Sequence, residues 1–409
     1  MKIGILTYHC VTNFGAQLQT LSTIGYMKKH GHEPIVLNWF PQDLEDFYHR
    51  CHPQVQFEEQ FRFAMENMPV SRLCRTLEEL CHEIDSLNLD AIFLGSDALF
   101  DYIPQKSRYG FSFRKLHKVP VGFTVTSNHD LPNPFWGSFD DMLVKKIPYC
   151  GFSISSQNMP YFKLTNAEKN ELGNLLNRFA KITVRDEWTK KMVNYVSGRN
   201  DVTITPDPVF AFNYNTDLVV KKEDLLAKYH LPNNYILISF CQNILQDSFI
   251  NDIVSKVESK TDALCVSFPM PRKLKKYNTQ ISIDLPLPTL DWYYLIKYSQ
   301  GYIGELMHPT IVSLHNSIPF FCFDQYGTNK TIIPRLWSKF VPESSKVYDI
   351  LKQAGFLNNM CPYVYSDRVT VDNVVQSFLN FDRDKCREFA EKQHSRYEDG
   401  MKMVLSSLE

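Results

Sequence analysis

The sequence predicts an α/β protein with two parallel-sheet domains in tandem. Short apolar runs alternate with segments of helical spacing from the first residues onward. The alternation breaks at Pro206-Asp207-Pro208, where two prolines interrupt regular structure, and restarts at residues 235–240. The chain has 409 residues, room for two to three domains of roughly 150 residues each. The expected divisions are 1–212 for an N-terminal domain, 213–382 for a C-terminal domain and 383–409 for a last helix packing back.

Residues 2–7, Lys-Ile-Gly-Ile-Leu-Thr, read as a buried strand. A loop follows at 8–15, then a helix at 17–30 with Leu18, Leu21, Ile24 and Met27 on one side and Gly31 as its stop. Residues 35–39 close a β-α-β unit, the building block of parallel sheets with right-handed crossovers. A strand at 91–94 ends in Gly95-Ser96-Asp97, and 120–125 and 149–153 are further strands. A helix at 167–179, a strand at 182–184 ending in Arg185-Asp186, a helix at 187–196 and a strand at 202–205 complete the first half. The second half reads as a short helix and a Leu-Pro-Asn-Asn turn, strand 235–240, helix 248–260, strand 263–268, helix 289–298 and strand 302–303. Then come a helix running from His308 to near Asn316, a buried strand at 319–323, helices at 344–354 and 371–379, and a long polar helix at 385–408. Open parallel sheets bind ligands beyond the carboxyl ends of their strands. Site residues are therefore expected from 8–17, 95–97, 153–156, 185–186, 241–243, 268–272 and 304–309, around a cleft between the domains.

The composition narrows the function. A net charge of −1 without a basic block argues against nucleic acid and against an acidic membrane surface. The 29 Phe and 13% aromatic residues support a large core rather than disorder. Ten scattered cysteines form no C-x-x-C pair, and several lie in apolar strands, which fits buried thiols in a reducing compartment. Residues 1–8 enter a strand with no signal architecture, and no apolar run reaches the ~18 residues of a membrane span. A cytoplasmic location is expected. No H-E-x-x-H, calcium loop, nucleophile elbow, Walker loop or dinucleotide fingerprint is present, so no metal and no cofactor are expected.

Several motifs carry chemistry. Asn13-Phe14-Gly15-Ala16 opens a helix whose free amides suit a phosphate or carboxylate; an ordinary turn with an Asn cap explains it equally well. Ser96 and Asp97 either cap the next helix or bind a sugar hydroxyl. Arg185, at a strand's carboxyl end, offers a planar fork to an anion or pairs with Asp186 or Glu187. His308 stands at the mouth of a helix, where the helix amino end favours a neutral ring and a bound phosphate favours a charged one; a group poised between the two is a usable general acid. His315 shares its helix face and reads as structural.

Taken in order, these pieces resemble the polysaccharide pyruvyl transferase family. The carriers are the opening strand with Asn13-Phe14-Gly15-Ala16 and Leu18-Gln19, Gly95-Ser96-Asp97, the strand from Tyr149 to a serine at 155, Val184-Arg185-Asp186, Asp207-Pro208, His308 with Pro319 behind its helix, and Ser345-Lys346. The resemblance covers nearly the whole chain. It implies two Rossmann-like domains facing a cleft in a GT-B-like arrangement, the N-terminal one on the acceptor side and the C-terminal one on the donor side. It implies phosphoenolpyruvate as donor, a sugar or lipid-linked oligosaccharide diol as acceptor, and a cyclic pyruvate ketal on a bacterial cell-surface glycan or its precursor. Arg185 would be the donor-anion ligand and His308 the acid. Asn13, Gly15, Ala16, Ser96, Asp97, Ser155, Glu305 and Lys330 complete the expected substrate site, with Asp97 or Glu305 as the base. Many members carry Arg two residues before the histidine and Gly after it; here those positions are Leu306 and Pro309, and Lys330, Arg272 or Lys273 would have to replace the lost cation. Two other readings stand beside this one: a nucleotide-sugar-dependent GT-B glycosyltransferase with Glu305 on the ribose, and a non-catalytic glycan-binding protein with a worn site. The acceptor sugar, ketal stereochemistry and oligomeric state stay open, a homo-oligomer and a peripheral approach to a membrane through the acceptor included.

Overall fold

A computed structural model describes residues 1–112, 117–120, 125–240, 245–329 and 339–409. Its frame is two six-stranded sheets whose pairings are all parallel. The first contains β1 (Lys2–Leu6), β2 (Glu33–Val36), β3 (Ala91–Leu94), β4 (Tyr149–Ile154), β5 (Lys181–Val184) and β6 (Thr203–Ile204), in the order β2-β1-β3-β4-β5-β6. The second contains β7 (Tyr235–Ser239), β8 (Leu264–Ser267), β9 (Ile281–Ser282), β10 (Gly301–Glu305), β11 (Phe320–Asp324) and β12 (Met360–Pro362), in the order β9-β8-β7-β10-β11-β12. Strands β3, β4, β7, β10 and β11 are buried along their whole length, as expected where helices cover both faces. Each sheet reverses direction once, between β1 and β3 and between β7 and β10. Such switch points leave a crevice at the strands' carboxyl ends.

The crossover helices follow the expected spacing: α1 (Phe14–Lys29) after β1, α5 (Asn166–Leu176) and α6 (Glu187–Ser197) around β5, α7 (Asp247–Lys260) after β7, α8 (Thr289–Tyr298) before β10 and α9 (Met307–His315) after it. Polar residues begin them where the sequence places capping types. Asn13 accepts from the Gly15 amide, Thr165 and Glu168 form a capping box, and Asp186 accepts from the Thr189 amide. Three helices between β2 and β3 lie outside the sequence reading: α2 (Gln42–Cys51), α3 (Gln54–Asn67) and α4 (Leu77–Leu87). The strand predicted at 120–125 falls mostly outside the described residues; what is described there is an antiparallel hairpin, Tyr109–Ser112 with His117–Pro120.

The halves are locked by α1 and α3. Phe14 stacks on Trp292 with centroids 4.9 Å apart. The Gln56 amide donates to the Leu287 carbonyl at 3.0 Å and accepts from the Leu287 amide at 2.7 Å, and Gln17 bonds the Gln60 carbonyl at 2.6 Å and the Thr289 hydroxyl. After α10 (Lys346–Ala354) and α11 (Val371–Leu379), the last helix, α12 (Arg383–Ser406), touches both halves. Tyr397 meets Phe152 of β4 edge-on, and Lys385 donates to the Gly355 carbonyl behind α10 at 2.7 Å. All described cysteines are free thiols, buried except Cys51. No helix among the described residues is long and apolar enough to cross a membrane.

Trp292 is 3% exposed and carries an aromatic contact between the halves. Trp292→Ala is expected to lower stability by about 3–5 kcal/mol, read as the shift of the urea midpoint. An unmoved midpoint would show that the Phe14–Trp292 stack does not stabilise the fold.

Candidate active site

Both switch points open onto one cleft of about 290 Å³. From the first half it is lined by Thr12, Asn13, Asp97 and Arg185, each just beyond the carboxyl end of a strand. From the second half come Met270 to Arg272 after β8, Leu306 to His308 after β10, and Gln325 and Tyr326 after β11.

A buried polar chain crosses between the halves beneath this cleft. Asp207, 1% exposed, accepts at Oδ2 from Arg185 Nη1 at 2.7 Å and from Gln19 Nε2 at 2.6 Å, and at Oδ1 from the Val209 amide at 3.0 Å. Gln19 Nε2 also lies 3.4 Å from His308 Nε2. Arg185 is 9% exposed; its Nε and Nη2 have no hydrogen-bond partner, and Nη2 stands 3.8 Å from Asp97 Oδ1, beyond bonding reach. Burial opposes the arginine's charge, but Asp207, Asp97 and Asp186 outweigh it and hold its pKa above the ordinary guanidinium value. Asp186 is not the partner of Arg185: it caps α6 and accepts from the Ser155 hydroxyl at 2.9 Å.

Gly15 brings the halves into contact at His308. A Cβ built there would sit 2.1 Å from His308 Cγ, so the imidazole lies directly against the helix backbone. Burial pushes the His308 pKa down; Asp207 and Asp97 pull it up, and Arg185 and Lys346 push it down again. His308 is the second residue of α9, and Pro309 falls within the first turn, where its missing N–H breaks no helical bond.

Lys346 is a cation that the expected site lacked. Ser345 caps α10 and bonds Asp324, which places Lys346 at the helix start; its Nζ donates to Gln157 Oε1 at 3.1 Å. It is 8% exposed and lines the cleft, and burial together with Arg185 lowers its pKa to about 8. The opposite wall comes from α2 and the turn after it: Phe47, Tyr48 and His52, facing Arg272. His52 is buried with Nδ1 unpartnered, and burial and Arg272 lower its pKa to about 4.

The expected residues divide. Asn13, Asp97, Arg185 and His308 line the cleft, with Gly15 under the imidazole. Asn13 is both cap and link: Oδ1 holds the Gly15 amide at 3.1 Å and Nδ2 donates to Asp97 Oδ2 at 3.3 Å. The amino end of α1 is therefore covered by Asn13 and His308 rather than open to a ligand. Ala16, Ser96, Ser155 and Glu305 are buried and stand outside the described lining. Ser155 orients Asp186, the Ser96 carbonyl accepts from the Thr7 hydroxyl at 2.8 Å, and Glu305 accepts from the Tyr363 hydroxyl. Glu305, expected as base or substrate ligand, is fully buried and outside that lining. Lys330 lies outside the described residues, as does the strand-end segment 241–243. Gln19, Asp207 and Lys346 belong to motifs that the sequence displays, but nothing in the spacing shows where they point. Phe47, Tyr48 and His52 come from the unread helix region. Among the described residues, no three His, Cys, Asp or Glu side chains are placed to hold a metal.

The family model for polysaccharide pyruvyl transferase matches residues 13–325. No curated protein matches the chain. Solved structures similar across its length include UDP-GlcNAc 2-epimerase from Neisseria meningitidis, at 11% identity and TM-score 0.57, covering 100% of this chain and 99% of that one. UDP-GlcNAc 2-epimerase from Methanocaldococcus jannaschii matches at 10% identity and TM-score 0.52, covering 96% and 99%. Arabidopsis thaliana UGT89C1 matches at 9% identity and TM-score 0.51, covering 100% of each chain. At these identities the likeness is one of fold: two α/β domains of GT-B type.

Gly15→Ala is expected to cost about 1–3 kcal/mol because the methyl group and the imidazole cannot share the space. His308→Ala in the same chain should relieve most of that cost. Thermal midpoints of the wild type, both single variants and the double variant measure the coupling. Equal losses with and without the imidazole would mean that the two do not touch.

Proposed function

Because the chain belongs to the polysaccharide pyruvyl transferase family, we propose that it transfers the pyruvyl group of phosphoenolpyruvate to two hydroxyls of a sugar, closing a cyclic ketal and releasing phosphate. The observation that carries this reading is Arg185: a nine-tenths-buried guanidinium with Nε and Nη2 unpartnered, lining the same cleft as Lys346 and His308. Buried donors without partners are costly unless a ligand completes them.

In this reading Arg185 and Lys346 hold the donor's carboxylate and phosphate. Lys346 and Arg272 take the place of the arginine that many members carry where this chain has Leu306. Burial, with Arg185 and Lys346, depresses the His308 pKa; the donor's negative charge offsets the two cations, and the nearby Asp207 and Asp97 then favour the imidazolium. His308 gives a proton to the methylene carbon, and the cation that develops at the neighbouring carbon is flanked by the donor's own anions. One sugar hydroxyl adds there; the second displaces phosphate and closes the ring. Of the two hydroxyl protons released, one balances the proton given to carbon and the other leaves with phosphate. Asp97 is the base at the cleft surface. Phe47 and Tyr48 offer apolar faces to a sugar ring, with His52 and Arg272 for its polar groups.

Calorimetric titration is the test. Phosphoenolpyruvate should bind the wild type, and Arg185→Ala should weaken it at least about 30-fold, the equivalent of about 2 kcal/mol for charge-assisted bonds. Binding of a UDP-, GDP- or CMP-sugar with silence toward phosphoenolpyruvate would overturn the donor assignment.

The same titration carries a pH signature. Lys346 keeps its charge below its pKa of about 8 and loses it as the pH rises through that value. Donor affinity should therefore hold near neutrality and fall above pH 8 by up to about tenfold per unit, since binding must then recover one proton. Lys346→Met should bind weakly at all pH values, without that break. A wild-type curve flat from pH 7 to 9 would count against Lys346 as a donor ligand.

A further inference from the structure

Gln19 lies buried on α1 between Asp207 and His308. Its amide nitrogen carries two hydrogens. One serves Asp207 Oδ2 at 2.6 Å, and the same nitrogen stands 3.4 Å from His308 Nε2. The amide cannot be reversed, because its oxygen would then face the Asp207 carboxylate. An amide nitrogen donates and does not accept, so the contact is complete only when His308 Nε2 presents a lone pair. A neutral imidazole with a free Nε2 carries its hydrogen on Nδ1. Nδ1 has no hydrogen-bond partner among the described residues, and the ring lines the cleft.

We propose that Gln19 is a positioning residue that fixes His308 in the Nδ1–H tautomer, so that the proton to be transferred is presented to the cleft. Neutral histidine in water favours hydrogen on Nε2, so the environment reverses the ordinary preference. Asp207 extends the device: one oxygen holds both the Gln19 amide and the Arg185 guanidinium, which ties the orientation of the acid to the anion-binding side chain. Adding a proton at Nε2 sets N–H against N–H, so the ring resists charging until the donor's anions arrive. Loss of the Nδ1 proton to carbon then leaves a neutral ring with its remaining hydrogen on Nε2.

The kinetic part of this inference rests on His308 being the acid of the proposed transfer; the tautomer does not. The test is long-range ¹H–¹⁵N spectroscopy of the full chain labelled at histidine, at a pH where His308 is neutral, with His308→Gln to assign its signals. The expected spectrum shows a protonated Nδ1 and an unprotonated Nε2. In Gln19→Leu the hydrogen should return to Nε2, the ring's titration should move to higher pH, and kcat/KM for ketal formation should fall about tenfold or more. Phosphoenolpyruvate affinity should stay within about threefold, because no donor ligand is lost. A wild-type spectrum with hydrogen on Nε2 overturns the proposal whatever the variant does, and so does an unchanged tautomer in folded Gln19→Leu. The expected tautomer in a protein that forms no ketal would leave the role of Gln19 standing and sink the transferase reading instead.

Discussion

A guanidinium withdrawn from water must be answered by a carboxylate, and the site is organised around that requirement. Arg185 reaches the cleft from β5, and the cost of burying it is offset by Asp207, which is buried more deeply still. Asp207 is held by the Val209 amide at the start of a proline-initiated turn, so the Asp-Pro pair that breaks regular structure also fixes the counter-charge. Only part of the arginine is satisfied this way. Its Nε and Nη2 stay without a hydrogen-bond partner although the residue lines the cleft.

The same carboxylate reaches into the second half through Gln19 and His308. The halves therefore share a polar network under the cleft and an apolar clamp beside it, where Phe14 meets Trp292. The network sets charge and orientation, and the clamp sets distance. Neither would fix the histidine alone: the ring's position comes from packing on Gly15 and its electronic state from the groups around it.

Much of this is written in the sequence at the level of elements. The inner strands are near-continuous apolar runs, which makes parallel sheets readable, and Arg185 and His308 stand where strand-end logic places ligand-facing groups. The α2–α3 region is not readable in that way. Helix α2 carries Leu44, Phe47, Tyr48 and Cys51 at helical spacing but buries only Leu44, and α3 buries Gln56, whose burial makes sense only once Leu287 is beside it. Glu305 is legible only as a strand-end residue. It sits at a strand end, but its side chain goes to Tyr363 while the cleft receives Leu306 to His308. Lys346 is visible as part of a Ser-Lys pair, yet its direction depends on Ser345 capping one helix and on a glutamine from the other half.

The contact between Gly15 and His308 bears on how such proteins diversify. Two similar α/β halves invite exchange, each half recombined with a counterpart from another lineage. Here the glycine and the histidine occupy one volume and belong to different halves. A transplanted first half with any side chain at position 15 would displace the imidazole of its new mate, and a transplanted second half with a bulkier ring would meet the α1 backbone. Recombination is therefore restricted to parents that keep this pair together.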